Sequence, residues 1–222
     1  MYEGGFKAWE GGEALARLLA GDGRAGAPLW VSGGDDAATP LTAVARAAVA
    51  APLTGAAVLE LGAGAALPSL VAGRRGVAAL DVADFNPAVL DRVSAVNVRD
   101  AGLGEGVARF WAGDWRGLPG ALLAKVGPTP PWGLVLAAEV TYAPASLAPF
   151  LACLDACLGQ GAVALIATKR YYFGVGGGSE DLLAGIGASC PGLEAGLVAS
   201  TEGNGGGEVA IDVVGVVRRR SV

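Results

Sequence analysis

A glycine-rich turn beside a carboxylate is the first feature of this sequence that could do chemistry. Glu60 precedes Gly62 and Gly64, directly after a short apolar segment. Glycines there let a backbone turn pass close to a ligand, and a carboxylate can meet a cationic group of that ligand. A nicotinamide-binding fingerprint also needs glycine at its sixth place, where this chain has Leu67, so a dehydrogenase is disfavoured. The alternative interpretation is a tight turn that binds nothing.

Two further carboxylates follow the next two apolar segments. Asp84 lies about where a ribose-binding carboxylate is expected, and Asp81 competes for this role from within the predicted strand. Alternatively, Asp84 only stabilises the helix start beside Asn86. Asp114, after Gly113, could accept a hydrogen bond from an adenine amino group. Trp115 could pack on the base, and ordinary core packing is its alternative.

The fourth apolar segment is followed by Glu139 and Tyr142. Their spacing of three lets both side chains reach the same side if a helical turn starts there. We expect the reactive part of a bound ligand and its substrate to meet at this point. The alternatives are a carboxylate at a helix start and a partly buried tyrosine.

A run of aromatic residues and glycines follows the fifth apolar segment. Such a loop lets a peptide approach closely and offers flat apolar walls. A nucleotide P-loop is excluded, because no Gly-Lys-Ser/Thr follows. A surface loop without a ligand is equally compatible with the pattern. The candidate substrate-binding residues are Tyr171, Tyr172, Phe173, Gly174, Gly176 and Gly177.

Alternating strands and helices must position these residues. Hydrophobic patterning predicts strands over 56–61, 76–83, 107–111, 133–138, 162–168, 193–200 and 208–217, and helices over 67–73, 87–98, 146–158 and 180–188. Segments 21–39 and 117–131 are predicted as loops, and the glycines at 203–207 as a hairpin turn. This order predicts a mostly parallel sheet with helices on both faces and a terminal antiparallel pair. Ligands of such sheets lie beyond the carboxyl ends of the strands.

Composition narrows the possible functions. The 222 residues suit one α/β domain, and the net charge of −5 excludes a globally basic surface, although a local patch at 218–220 remains. With no histidine, the chain has no histidine base or metal ligand of its own. Cys153, Cys157 and Cys190 are odd in number, and no secretory signal precedes them, so we expect buried, reduced thiols in an intracellular protein. No strongly apolar stretch is long enough to span a membrane.

Taken together, the motifs resemble the eukaryotic histidine protein methyltransferases, which act on a histidine of a large-subunit ribosomal protein. The loop at 60–64 follows the acidic-x-Gly-x-Gly pattern of S-adenosylmethionine-dependent methyltransferases. The matching segments are YEGGFKAWE at 2–10, LELGAGAALP at 59–68, DFN at 84–86, GDW at 113–115, EVTY at 139–142 and YFGVGGG at 172–178. Members of this family usually carry a longer N-terminal region.

The resemblance implies a Rossmann-like class I methyltransferase fold with seven strands, in a single domain over 1–222 with its core at 56–217. It implies S-adenosylmethionine as cofactor, with segment 1–20 covering it. The implied cofactor-site residues are Trp9, Glu10, Gly62, Asp84, Phe85, Asn86, Asp114, Trp115 and Ala138, to which the residue patterns add Glu60, Gly64 and Gly113. We further expect a ribosomal protein substrate, no direct role for nucleic acid or membrane, a monomer, and a nuclear, nucleolar or cytoplasmic location.

The expected chemistry needs alignment more than a strong base. An imidazole of pKa about 6.5 is mostly neutral near neutral pH, so one ring nitrogen already carries a free lone pair. We hypothesise that Glu139 accepts the other N–H, with Tyr142 or Tyr171 as walls. One alternative is a protein-lysine methyltransferase of the same superfamily; such enzymes often use Asp-x-x-Tyr where this chain has Glu139 to Tyr142. The other is a non-catalytic cofactor-binding module.

Overall fold

The computed structural model describes residues 4–22, 29–30, 40–103, 106–201 and 209–219. The glycine turn at 203–207, much of the loop predicted at 21–39, residues 2–3 of the opening motif and Arg220 lie outside the described residues.

Eight strands in the described ranges form one sheet, in the order β1-β7-β8-β6-β5-β2-β3-β4. Neighbours from β6 to β4 pair in parallel, whereas β8 is antiparallel to both β6 and β7. The seven predicted strands are thereby confirmed, including the terminal antiparallel pair. The strands are β1 Leu29–Trp30, β2 Ala57–Leu61, β3 Ala79–Asp84, β4 Ala108–Ala112, β5 Leu134–Ala138, β6 Val163–Lys169, β7 Leu193–Ser200 and β8 Ile211–Arg218.

The two-residue strand β1 is a correction to the sequence prediction, because it falls inside the loop predicted at 21–39. It pairs antiparallel with the outer edge of β7. Two residues are too few for a hydrophobic period to reveal a strand.

Helices cover both faces of the sheet. Apolar side chains of α1, α2 and α3 pack against one face, and those of α6, α7 and α8 pack against the other. The helices are α1 Glu10–Ala20, α2 Pro40–Ala50, α3 Leu67–Arg74, α4 Pro87–Val89, α5 Ala95–Asp100, α6 Leu118–Val126, α7 Pro144–Cys157 and α8 Ser179–Ser189, with a 3₁₀ turn at Gly4–Phe6 and a π-helical turn at Leu90–Ser94 joining α4 to α5.

Helix α6 corrects the loop predicted at 117–131. Pro119 lies in the first turn of this helix, where a proline loses no hydrogen bond, and the remaining prolines of the segment follow its end. Leu118 and Leu122 are fully buried against the second face of the sheet. The prolines therefore mark the ends of a helix rather than a loop.

Asn86 and the cysteines, which the sequence analysis singled out, occupy defined positions in two helices. The side chain of Asn86 accepts a hydrogen bond from the backbone N–H of Ala88 at 3.0 Å, so it is the N-cap of α4. Cys153 and Cys157 share the buried face of α7, and all three cysteines are free and buried. Across the described segments, no helix combines the length and hydropathy that a membrane span requires.

Candidate active site

A cavity of about 530 Å³ opens at the carboxyl ends of the parallel strands. Strand β2 pairs with β3 on one side and with β5 on the other, so the chain first extends the sheet through β3 and β4 and then crosses back to β5. Such a switch point leaves a crevice in which ligands of α/β sheets bind. The volume falls in the range of about 300–1,000 Å³ that is typical of small-molecule sites.

Most of the predicted cofactor and catalytic residues line this cavity. They are Trp9, Glu60, Gly62, Gly64, Asp84, Phe85, Asp114, Trp115, Ala138, Glu139 and Tyr142. Their side chains and backbones come from five separate segments of the chain, which the sheet brings to one edge.

Three predicted cofactor residues are not among the lining residues. Glu10 begins α1, and its carboxylate pairs with the Lys169 ammonium at 3.4 Å. The side-chain oxygen of Asn86 caps α4. The backbone N–H of Gly113 donates to the carbonyl oxygen of Asp84, which fixes the turn after β4. The backbone N–H groups of Asn86 and Gly113 both donate to Asp84, which lines the cavity.

The glycine turn after β2 is shaped by the protein's own packing. Gly62 has φ +70°, and a Cβ there would lie 2.5 Å from Cγ1 of Val140. Gly64 has φ +50°, and its N–H donates to Oδ2 of Asp84 at 2.9 Å. The close neighbour of Gly62 in the structure is thus a side chain of the loop after β5, and the predicted approach of this turn to a ligand stays a prediction.

Glu60 lies at the inner end of the cavity and is 1% exposed. Burial raises its pKa to about 7, although the N–H of Ser69, which donates to Oε2 at 2.9 Å, favours the charged form. A cationic ligand group beside this carboxylate would favour its charged form and so oppose the rise in pKa caused by burial.

Asp84 and Asp81 have separate roles on β3. Asp84 lines the cavity, and its Oδ1 accepts from the N–H of Asn86 at 2.9 Å. With one backbone donor on each oxygen, the carboxylate keeps acceptor sites for a ligand hydroxyl. Asp81 is fully buried and accepts from Arg109, Trp111 and Trp132. Asp81 is therefore part of the packing and not a ribose ligand.

Asp114 and Trp115 form the wall that follows β4. Oδ1 of Asp114 accepts from the N–H of Arg116 at 2.7 Å, and the side chain remains 44% exposed. The Trp115 ring contacts Phe150 edge-to-face, with ring centroids 5.5 Å apart, while it also lines the cavity. The core-packing interpretation of Trp115 is therefore confirmed, whereas its packing on a base stays a prediction, for which the ring is placed in the cavity wall.

Glu139 is the most constrained residue of the site. Its backbone has φ +54°, a left-handed conformation that costs free energy in any residue other than glycine. The side chain is 8% exposed; Oε1 accepts from the N–H of Gly11 at 3.1 Å, and Oε2 accepts from the hydroxyl of Tyr172. Burial raises the pKa of this carboxyl, and the Tyr172 hydroxyl opposes that rise.

The segment after β5 differs from the helical turn expected at Glu139. Residues 139–143 are not helical, and α7 begins at Pro144. Glu139 and Tyr142 nevertheless both line the cavity. The backbone of Glu139 has a positive φ, and the two side chains reach the same cavity without a helical turn between them.

The aromatic loop after β6 is not part of the cavity wall but lies against it. Tyr171 and Phe173 are 47% and 74% exposed, with ring centroids 5.0 Å apart. The half-buried Tyr172 contacts Tyr142 edge-to-face at 6.5 Å between centroids. Gly174, Gly176 and Gly177 all have positive φ, and a Cβ at Gly177 would overlap the carbonyl oxygen of Thr141.

The start of the chain covers one side of the cavity. Gly5, Lys7, Ala8 and Trp9 line it, and Nζ of Lys7 lies 4.6 Å from the ring centroid of Trp9. Sequence reasoning missed Lys7, and it also missed Arg116, Ser146 and Pro149, which complete the wall. Nothing in their spacing marks them, because Lys7 comes from the segment before α1 and the others from the turn after β4 and the first turns of α7.

The residues present suit a cationic, nucleoside-containing ligand. Four carboxylates line the cavity, at Glu60, Asp84, Asp114 and Glu139, against Lys7 and Arg116. Indole rings at Trp9 and Trp115 provide flat apolar walls. In the described residues no cluster of potential metal ligands occurs.

Comparison with known proteins identifies a family and a relative. Residues 5–173 match the model of a family described as lysine methyltransferase. Histidine protein methyltransferase 1 homolog from Bos taurus is 26% identical over 146 residues, which cover 55% of this chain and 39% of that protein. The chain thus spans about two fifths of the length of this relative.

Solved structures share the fold. A SAM-dependent methyltransferase from Aquifex aeolicus superposes with a TM-score of 0.54 at 15% identity, covering 80% of this chain and 89% of that one. SMU.776 in complex with SAH superposes with a TM-score of 0.55 at 11% identity, covering 78% of this chain and 48% of that one. These likenesses concern the fold.

Proposed function

The chain belongs to a family described as lysine methyltransferase. Within this family, we propose that it is an S-adenosylmethionine-dependent methyltransferase whose acceptor is a histidine of a large-subunit ribosomal protein. The resemblance of its motifs to the histidine protein methyltransferases and the 26% identity to one of them support this acceptor. The observation that carries the proposal is the buried, hydrogen-bonded carboxylate of Glu139 at the cavity wall.

In this proposal, different cavity residues contact different parts of the cofactor. In this proposal Asp84 accepts from the ribose hydroxyls, Asp114 accepts from the adenine amino group, and Trp115 packs on the base. Glu60 lies near the amino acid end, and the segment around Trp9 covers the ligand. When bound, S-adenosylmethionine supplies a methyl group on a positively charged sulfur, and the protein supplies alignment.

Glu139 suits an acceptor that needs orientation more than deprotonation. Each of its oxygens already accepts one strong donor, from Gly11 or Tyr172, so the carboxylate is held in place. It retains sites for one more N–H. A neutral imidazole offers one N–H to such an acceptor and one free lone pair for attack, whereas lysine with pKa about 10.4 must first lose a proton.

The aromatic loop is proposed to hold the polypeptide around the acceptor. Tyr171 and Phe173 present exposed rings beside the Tyr142 side of the cavity. The net charge of −5 suits a basic ribosomal protein as partner. A nuclear, nucleolar or cytoplasmic location follows from such a substrate and belongs to the same proposal.

A lysine acceptor is the second candidate, and the family description favours it. Glu139 and Tyr142 present the acidic-x-x-Tyr arrangement to the cavity that lysine methyltransferases of this superfamily use. The raised pKa of Glu139 would also make it a stronger base toward a lysine ammonium.

The test is to incubate the protein with methyl-labelled S-adenosylmethionine and large-subunit ribosomal proteins from cells that lack the activity. Hydrolysed product is scored for methylhistidine and methyllysine by mass spectrometry. We expect label in methylhistidine. Label in methyllysine would contradict the histidine acceptor and support the lysine acceptor. Binding of S-adenosylhomocysteine without any transfer would favour a non-catalytic module and contradict both.

A further inference from the structure

A chain of buried hydroxyl groups leads to Glu139 from the far side of the cavity wall. Oγ1 of Thr141 lies 2.6 Å from Oγ1 of Thr168, which lies 3.1 Å from the Tyr172 hydroxyl. The Tyr172 hydroxyl in turn donates to Oε2 of Glu139. Thr141 and Thr168 are 1% and 0% exposed, so their contact is shielded from water, and Tyr172 is half-buried.

The direction of this chain follows from counting protons. An ionised carboxylate only accepts, so Tyr172 must donate to Glu139. The single Tyr172 proton is then used, and its oxygen accepts from Thr168, whose oxygen accepts from Thr141. Hydrogen bonds aligned in one direction polarise and strengthen one another in a low-dielectric interior. The ionised form of Glu139 therefore receives a reinforced donor.

The backbone on both sides keeps Tyr172 in place. Gly177 presses against the carbonyl oxygen of Thr141, and its N–H donates to Oδ2 of Asp181 at 2.8 Å. Arg170, two residues before Tyr172, is held by the buried Asp212 through two hydrogen bonds of 3.1 and 2.9 Å. The exposed rings of the loop thus flank a tyrosine that is anchored and turned inward.

From this geometry we propose that Tyr172 is a positioning residue, whose hydroxyl, supported by Thr168 and Thr141, holds the Glu139 carboxylate in the orientation that meets the acceptor nitrogen. The inference rests on the proposed role of Glu139 and reassigns Tyr172 from the substrate wall predicted from the sequence. Tyr172 acts through Glu139, since it is not among the residues that line the cavity.

Other groups also act on Glu139 and enter the test. Lys169, at the end of β6, favours its charged form, and Glu10, at the start of α1, opposes it. The N–H of Gly11 in α1 holds the other oxygen. Because Lys169 and Glu10 also pair with each other, neither is changed in the experiment.

The experiment is a double-mutant cycle of Tyr172→Phe and Glu139→Gln, measured from pH 5.5 to 9. Without the tyrosine donor the charged carboxylate is less stable, so the acid limb of kcat should move up by about one pH unit. We expect Tyr172→Phe to lower kcat about tenfold while the Kd for S-adenosylhomocysteine changes less than about twofold. In the Glu139→Gln background, Tyr172→Phe should have no further effect on kcat.

A second pair of variants separates the hydroxyl from packing. Thr168→Val keeps the shape but removes the hydroxyl, and we expect a smaller shift in the same direction. Thr168→Ser keeps the hydroxyl and should restore the wild-type pH profile.

The pKa of Glu139 is also read directly from its carboxyl carbon resonance, assigned by its loss in Glu139→Gln, which needs no turnover. An unshifted resonance in Tyr172→Phe, or additive losses of kcat in the cycle, would overturn the inference. The kinetics use whichever acceptor the labelling identifies, so a lysine result refutes the histidine proposal without deciding this one.

Discussion

Glu60 is a carboxylate held almost completely out of water at the inner end of the cavity. Its folded-state pKa of about 7 is above the ordinary 4.5 because burial disfavours the charge. A raised pKa means that the folded state binds the proton more tightly than the unfolded chain. The stabilising contribution is therefore complete below about pH 4.5 and is lost as the pH rises through about 7.

This residue gives a pH-dependent prediction for stability. Gln is neutral at every pH, so the stability of Glu60→Gln relative to the wild type should rise by about 2 kcal/mol between pH 5.5 and pH 8. Urea unfolding without cofactor measures the difference. Glu13→Gln, on the exposed side of α1, is the control and should change the free energy by less than about 0.5 kcal/mol at both pH values. A Glu60→Gln difference that does not vary with pH would refute the assigned burial effect.

The two aspartates of β3 illustrate what residue type and spacing can and cannot decide. Side chains alternate along a strand, so Asp81 and Asp84 point to opposite faces, and only one can reach a site at the strand end. The sequence analysis named both residues as candidates for the ribose-binding carboxylate. Choosing between them required the position of β4, because its register places Arg109 opposite Asp81, where the two form an ion pair.

Glycines place the loop after β6 against the loop after β5. At Gly177 the backbone has φ +85°, and an added Cβ would overlap the carbonyl oxygen of Thr141. These two loops carry Tyr172 and Glu139, so the contact between them sets the distance between the two side chains.

Gly177→Ala should therefore disturb the contact between the loops after β5 and β6. We expect a loss of stability of about 1–3 kcal/mol from the positive φ and a drop of about tenfold in the methyl-transfer rate. Gly187→Ala is the matched control, since Gly187 lies in α8 with nothing near its missing Cβ. It should stabilise the protein by about 0.5–1 kcal/mol. Equal effects of the two changes on rate would show that the contact at Gly177 is unimportant.

At the level of elements, periodicity predicted most of the sheet and failed where other signals competed. The strands after residue 56 were predicted with boundaries that differ by up to three residues. Helix α6 was not predicted because prolines lie at both of its ends. Helix α1 was not predicted because Gly11 and Gly12 lie in its first turn. Its buried leucines at 15, 18 and 19 follow helical spacing and were the available signal.

At the scale of the whole molecule, the switch point of the sheet explains why distant motifs form one site. Parallel strands end at a common edge, so residues that follow β2, β3 and β5 converge whatever their separation in sequence. The motif positions could therefore be predicted. The closing contacts could not, because Lys7, Arg116 and Ser146 reach the cavity through loops and a helix start whose path depends on packing.

The central claim is that this cavity holds the cofactor with its reactive end toward Glu139 and Tyr142, and a crystal structure of the protein with S-adenosylhomocysteine tests it most directly. We predict the ribose at Asp84, the base between Asp114 and Trp115, and the sulfur facing Glu139. Density for the ligand at another place, or the ligand in this cavity with its sulfur turned away from Glu139, would contradict the account.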